Sequence, residues 1–371
     1  MRMSARYPFR TAPPVATRCL EGPWPGTLVP RSADSPPWYA AVLRSSIGSE
    51  PTTSSPRKRS KVMELIRKVA EVPHGAVVVG TDGSDHADHA VRWAAAEAAR
   101  QRRPLVLAHS TPSPEVDWLR AWGLTPADQE KRLADVVAAT GTELVTRIAA
   151  EVVTEVVTVS DDLRVVGLVT AEDPRVVMLD LAEHAALLVV GSRGRGPVRR
   201  LLLGSTGVAL VRHARCPVVV LRPGAAEPDG TGVVVGVTAR TTTPAVLDFA
   251  FAQADSRGLP ITVVHAVPGH GMATAATYVE LPPSAEQLEE HRRMVAEIIS
   301  GMRERHPDVA VRTELAVGYP ERVLLDHAEG ADLLVVGAHD QQPGSFAVTT
   351  SVVEHARGPV AVVPARASAA G

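Results

Sequence analysis

Gly191, Gly194, Gly204 and Ser205 carry the spacing glycine, two residues, glycine, nine residues, Gly-Ser, within the run GSRGRGPVRRLLLGS. That run follows the apolar stretch Leu187 to Val190 and leads into a helical pattern that opens at Ser205 and Thr206. Glycines at the carboxyl end of a strand let backbone N–H groups approach an anion with no Cβ in the way, and an unpaired helix start attracts the same charge. The chemistry expected is phosphate cradling, with a nucleotide as ligand. A second polar strand end strengthens it: Val77-Val78-Val79-Gly80 runs into Thr81-Asp82-Gly83-Ser84. Two such ends are what a parallel sheet offers a ligand where its strand order reverses.

Other polar clusters support competing chemistry less well. His86 and His89 stand three apart near Asp82, Asp85 and Asp88, a conceivable cation site, but Asp and Ser at a helix start serve first as caps. His109 and His265 end apolar strands in comparable places and read as structural or wall residues. The Gly-Lys-Ser ending of a P-loop is missing, as are kinase phrases and a Gly-x-Ser-x-Gly elbow. No carboxylate is poised to orient a water at a γ-phosphate, though Asp82 could assist a bound Mg²⁺, so at most slow incidental hydrolysis of a nucleotide is expected. Cys19 and Cys216 are the only two cysteines, which excludes a disulfide framework and a cysteine-rich metal site.

The elements that must hold these residues are legible from periodicity. In residues 1–62, ten prolines, fourteen Ser or Thr and ten Arg or Lys stand against three acidic residues, too polar a mixture to offset chain entropy, so a disordered tail is expected. Its run Arg57-Lys58-Arg59-Ser60-Lys61 reads as solvated, and no apolar core of a signal peptide follows the first arginines. From Gly75 onward, short apolar runs alternate with amphipathic stretches, which predicts α/β architecture with parallel strands and crossover helices. Expected strands lie near Ala76 to Val79, Leu105 to Ala108, Leu163 to Val169, Leu187 to Val190 and Val218 to Leu221. Helices are expected near Ala87 to Arg100, Asp128 to about Thr158, Pro174 to His184 and Thr206 to Ala214, with the Val- and Thr-rich stretch Glu143 to Ser160 open to strand as the alternative.

The series then repeats. Leu187-Leu188-Val189-Val190-Gly191 returns as Leu333-Leu334-Val335-Val336-Gly337, and His213-Ala214-Arg215-Cys216-Pro217 as His355-Ala356-Arg357-Gly358-Pro359. This duplication predicts two domains, 73–222 and 233–366, each a Rossmann-like five-stranded parallel sheet flanked by helices. No apolar run is long enough to span a bilayer, and the formal charge of −2 gives no reason to expect nucleic acid or membrane as partner. A reducing cytoplasm is the default compartment.

Both halves resemble the universal stress protein domain, over roughly residues 73–366, and Gly191, Gly194, Gly204 and Ser205 match the signature of its ATP-binding branch without a gap. The resemblance implies ATP, with Mg²⁺, as the ligand of the first half. It puts Thr81 and Asp82 near the adenosine and Ser110 where a backbone contact to adenine falls. It has Gly191 and Gly194 letting the loop close, Gly204, Ser205 and Thr206 holding phosphates, and Arg193 and Arg195 supplying charge. Gly207 departs from relatives that carry a hydroxyl there. The second half departs further, with Thr238 in place of the strand-end Asp, Asp340 at the second glycine and Phe346 at the glycine before the helix. A carboxylate at Asp340 repels phosphate, so the second site is expected not to bind ATP. The family pairs through its last strand, here Val218 to Leu221 and Val360 to Val363, either within one chain or between two. The function implied is an ATP-binding regulatory factor of stress or dormancy acting through an unidentified protein partner. The alternative is a nucleotide-independent scaffold, or a binder of another adenosine compound such as cyclic AMP.

Overall fold

The computed structural model describes residues 63–110, 135–136, 139–151, 163–192, 203–222, 231–238, 243–267, 270–273, 278–338 and 345–365. The expected tail, 1–62, lies outside them.

In the first half the strands are β1 (Glu64–Ile66), β2 (Val77–Gly80), β3 (Leu105–Ser110), β4 (Val165–Thr170), β5 (Leu187–Gly191) and β6 (Val218–Leu221). Its helices are α1 (Asp85–Gln101), α2 (Pro174–Ala182) and α3 (Ser205–His213). Of the helix expected over 128–158, residues 135–136 and 139–151 are described and helical, and the rest lies outside the described residues. The second half contains β7 (Val233–Gly236), α4 (Pro244–Arg257), β8 (Ile261–Val267), a hairpin of β9 (His270–Ala273) and β10 (Tyr278–Leu281), α5 (Ala285–Arg305), β11 (Val311–Val317), α6 (Pro320–His327), β12 (Leu333–Ala338), α7 (Ser345–His355) and β13 (Val360–Pro364).

Apart from the hairpin, all strands join one eleven-stranded sheet in the order β1-β4-β3-β2-β5-β6-β13-β12-β7-β8-β11. Its pairings are parallel except at the centre, where β6 and β13 run antiparallel with Val218 opposite Val362 and Val220 opposite Val360. The two tandem sheets are therefore joined edge to edge, and the last strands of the two halves satisfy each other within one chain. Val- and Leu-rich runs buried on both faces are what such a sheet requires. Helices cover both faces: α1, α4 and α5 pack on one, α2, α3, α6 and α7 on the other.

The helices begin where local chemistry starts them. Ser84 Oγ accepts from Ala87 N–H at 3.3 Å ahead of α1, and Asp173 does the same for Arg175 N–H at 2.8 Å ahead of Pro174, which opens α2. Ser284 and Gln287 form a reciprocal capping box on α5.

The folded region begins earlier than the periodicity predicts. β1 pairs in parallel with β4, with Glu64 opposite Val166 and Ile66 opposite Leu168. A Cβ at Gly167 in β4 would lie 2.6 Å from Val145 Cγ1 and 3.2 Å from both Leu65 and Met63, so this glycine admits the arm. Three residues are too few to show a period in the sequence, and β1 escapes it for that reason.

The seam between the halves is also polar. Glu97 of α1 is fully buried and accepts from Gln253 Nε2 and Arg257 Nη2 of α4, each at 2.7 Å, and from Arg100 and Gln101 of its own helix. The Arg257 guanidinium lies 5.3 Å from the centre of the Trp93 ring.

Candidate functional site

In the first half, the chain runs from β2 to β3 to β4 on one side of β2 and returns to β5 and β6 on the other. The strand order therefore reverses between β2 and β5, and their carboxyl ends open a crevice there, the usual ligand position in such sheets. Thr81 and Asp82 leave β2 on one side of it, and Gly191 ends β5 on the other.

Thr81 is buried, and its N–H donates to Ala108 O at 2.9 Å while its Oγ1 accepts from Gly83 N–H at 3.2 Å. Asp82 Oδ1 accepts from Ser84 N–H at 3.0 Å and from Ser84 Oγ at 2.6 Å. Part of the carboxylate is thus committed to shaping the turn that starts α1. His109 places Nδ1 2.8 Å from Thr81 O, which ties β3 to the same turn and gives this histidine a structural task. Ser110, at the end of β3, donates its Oγ to Glu172 O in the loop before α2. Ser110 and Thr170 pair across β3 and β4, so this loop borders the crevice from the side opposite β5.

Gly204 and the start of α3 complete the group. Gly204 N–H donates to Ser192 O at 3.0 Å, and Ser192 N–H donates to Leu221 O at 2.7 Å, anchoring the helix start to the ends of β5 and β6. Gly204 is the N-cap of α3, with φ −66° and ψ 160° and no side-chain cap. Val208 N–H closes onto Gly204 O at 3.0 Å, so the N–H groups of Ser205, Thr206 and Gly207 precede the first intrahelical bond. A helix start left in this state is an anion site in waiting. Ser192 was not singled out by its sequence, although it stands between the two glycines of the motif. It is fully buried, and among the described residues its Oγ has no hydrogen-bond partner. A buried hydroxyl in that condition is costly unless a ligand satisfies it.

The structure therefore brings Thr81, Asp82, Gly191, Gly204, Ser205 and Thr206 around one crevice mouth, with Ser110 at its far border. Arg193 and Gly194 lie outside the described residues, as does Arg195. Of the alternative cation site, His89 is half-buried on α1, and among the described residues no group of three His, Cys, Asp or Glu is arranged to hold a metal ion.

The second half repeats the framework and changes its mouth. His265 Nδ1 meets Val237 O at 2.7 Å, the counterpart of the His109 contact. Its Nε2 then faces His291 Nδ1 of α5 at 2.9 Å, and burial holds the His265 pKa below its ordinary value, with His291 adding to the effect. With His213 aligned to His355, Ser345 falls level with Leu203, so α7 starts two residues ahead of α3 and takes Phe346 into the helix where Gly204 caps in the first half. Thr349, level with Gly207, is buried and donates to Gly337 O at 3.1 Å, closing the strand end onto the helix. Thr238 is exposed where the first half has Asp82. Asp340 lies outside the described residues.

Comparison with known proteins agrees with this architecture. The model of the universal stress protein family matches residues 74–222 and again 232–364. A universal stress protein of Mycobacterium tuberculosis (strain ATCC 25618 / H37Rv) is 32% identical over 304 residues, covering 78% of this chain and 96% of that protein. The crystal structure of a universal stress protein from Archaeoglobus fulgidus DSM 4304 superposes with a TM-score of 0.54 at 14% identity, over 78% of this chain and 98% of that one. A universal stress protein solved in complex with cAMP is 28% identical over 40% of this chain and 97% of its own, with a TM-score of 0.27.

Proposed function

We propose that this chain, which belongs to the universal stress protein family, binds one adenine nucleotide in its first half, ATP with Mg²⁺, and works in the cytoplasm as a regulatory factor rather than an enzyme. The observation that carries the reading is the uncapped, glycine-led start of α3 beside the orphaned Ser192 hydroxyl, both at the reversal of strand order.

In this reading the N–H groups of Ser205, Thr206 and Gly207 hold phosphate oxygens, with Ser205 and Thr206 hydroxyls available as further donors. Gly204 suits a close approach: among the described residues beyond its chain neighbours, the nearest heavy atom to a Cβ built on it is Ser192 O at 3.8 Å. Thr81 and Asp82 face the adenosine end, where a carboxylate suits a sugar hydroxyl as acceptor. Gly191 and Gly194 are the motif glycines with no Cβ to keep the backbone from the nucleotide, and Ser110 borders the base. Arg193 adds positive charge for the phosphates. Bound ATP supplies three linked phosphates and a purine; the protein's part is to hold and orient them.

The second half serves as a pairing partner. Its α7 starts two residues earlier than α3, and Thr349 bonds Gly337 O where the first half has Gly207, so the uncapped glycine start of the first half is not repeated. Nucleotide can act as a signal only if two arrangements of the protein differ in affinity for it, and the surface that changes is then the one a protein partner reads.

Isothermal titration of the full chain with ATP, ADP, AMP and cyclic AMP, with and without Mg²⁺, tests the proposal. Tightest binding to ATP with Mg²⁺ supports it. Tightest binding to cyclic AMP moves the ligand to another adenosine compound, and no heat with any of the four leaves the nucleotide-independent scaffold.

A further inference from the structure

β11 is the outermost strand on the side of the second half, and among the described residues it pairs only with β8. Ala310 O accepts from Ile261 N–H, and Gly318 N–H donates to Val267 O, so the even-numbered residues of this strand direct their backbone groups toward β8. By the alternation of a strand, Val311, Thr313, Leu315 and Val317 direct theirs to the open edge. The equivalent strand of the first half, β4, presents no such edge, because β1 covers it. The sequences differ accordingly: β4 reads VVGLVT and is almost wholly buried, whereas β11 reads VRTELAV, is half-exposed and carries Arg312 and Glu314 two apart.

We propose that β11 is a self-pairing edge, on which a second copy of this chain docks antiparallel about a two-fold axis at Thr313. An axis normal to the sheet keeps each face on its own side, so only residues of like parity can stand opposite. With the axis at Thr313, Arg312 stands opposite Glu314 of the second copy, and Glu314 opposite Arg312 of the second copy. Moving the axis one residue either way sets Arg312 against Arg312 or Glu314 against Glu314. Charge therefore selects one register. In that register Thr313 faces its own copy and Val311 faces Leu315, three close pairs that supply about six backbone hydrogen bonds at two per pair. Val317, 47% exposed, at the end of the strand, and Tyr319, 61% exposed, just beyond it, are two of the four large apolar side chains that stand exposed among the described residues. Alternating charge on an edge strand usually turns foreign strands away; here its order makes the edge complementary to itself. The contact is independent of the nucleotide reading.

Sedimentation velocity of the full chain over a range of concentrations tests this, with three variants and a combination. Thr313→Pro deletes one outward N–H and spares the β8 ladder. Arg312→Glu or Glu314→Arg alone sets like charges across the seam. The parent is expected to dimerise with concentration, and each single variant to raise the dimer Kd about tenfold or more. Arg312→Glu combined with Glu314→Arg restores complementarity and should return the Kd to near the parent value. A parent that stays monomeric, a dimer indifferent to all three single variants, or single variants that the combination fails to rescue would each overturn the proposal.

Discussion

Replacing Gly204 by Asp should abolish nucleotide binding while leaving the protein folded. Gly204 is the N-cap of α3 with φ −66° and ψ 160°, a backbone that any residue adopts, and among the described residues beyond its chain neighbours a Cβ there meets nothing nearer than Ser192 O at 3.8 Å. Asp is among the preferred N-cap residues, so its carboxylate takes the very N–H groups of the first turn that the phosphates need and stabilises the helix by about 0.5–1 kcal/mol relative to an uncapped start. It also repels the ligand: one unit charge about 5 Å from another at an effective dielectric near 20 costs ~3 kcal/mol, roughly a hundredfold in Kd. Gly204→Ala adds the Cβ without the charge and should bind within about threefold of the parent. Titration calorimetry reads the affinities, and thermal melting reads the fold. If Gly204→Asp melts at or above the parent temperature and still binds ATP within threefold, phosphates do not sit at the start of α3.

Other consequences follow from buried and paired groups. Arg257→Ala leaves Glu97 buried with Arg100 as its remaining cation, and should cost about 2–4 kcal/mol in denaturant unfolding; a loss below ~0.5 kcal/mol would show the seam does not depend on this pair. Burial pushes the Cys216 thiol up to about 12, so it should resist alkylation at pH 8 in the folded chain and react on unfolding, read by peptide mass spectrometry at Cys216. The Arg175 side chain and N–H hold Asp173 down at about 2, and a carboxylate depressed in the folded state adds stability above its ordinary pKa and loses it as pH falls toward 2. Asp173→Asn should therefore lower stability by less than ~1 kcal/mol at pH 7, the pair being exposed, and by nothing near pH 2, as melting curves across that range would show.

Most of the sheet was legible because most strands are apolar runs between turn residues, and Leu187 to Val190 and Val218 to Leu221 fall where periodicity put them. The duplication was equally plain from the recurring Leu-Leu-Val-Val-Gly phrase. What escaped was short or locally patternless: β1 with three residues, and the hairpin of β9 and β10, whose strands hold four residues each and include Gly271 and Ala273. The pairing of β6 with β13 could not be chosen from sequence, since an apolar edge strand fits its own repeat or another chain equally well. At the candidate site, glycine spacing located the helix start, but sequence alone could not show Asp82 engaged by Ser84 or Ser192 Oγ left without a partner. Those depend on how the turn and the strand end fold back, which neighbouring residue types do not encode. In the second half, the role of Thr349 was hidden for the same reason.

The central claim is one nucleotide site per chain, in the first half. The most direct measurement is the identity and amount of small molecule released from purified, never-refolded protein, by denaturing mass spectrometry with stoichiometry per chain. About one ATP or ADP per chain, lost in Gly204→Asp, is the result expected. Two per chain would contradict the closed second site, and an empty protein that also fails to take up added ATP with Mg²⁺ would contradict nucleotide binding altogether.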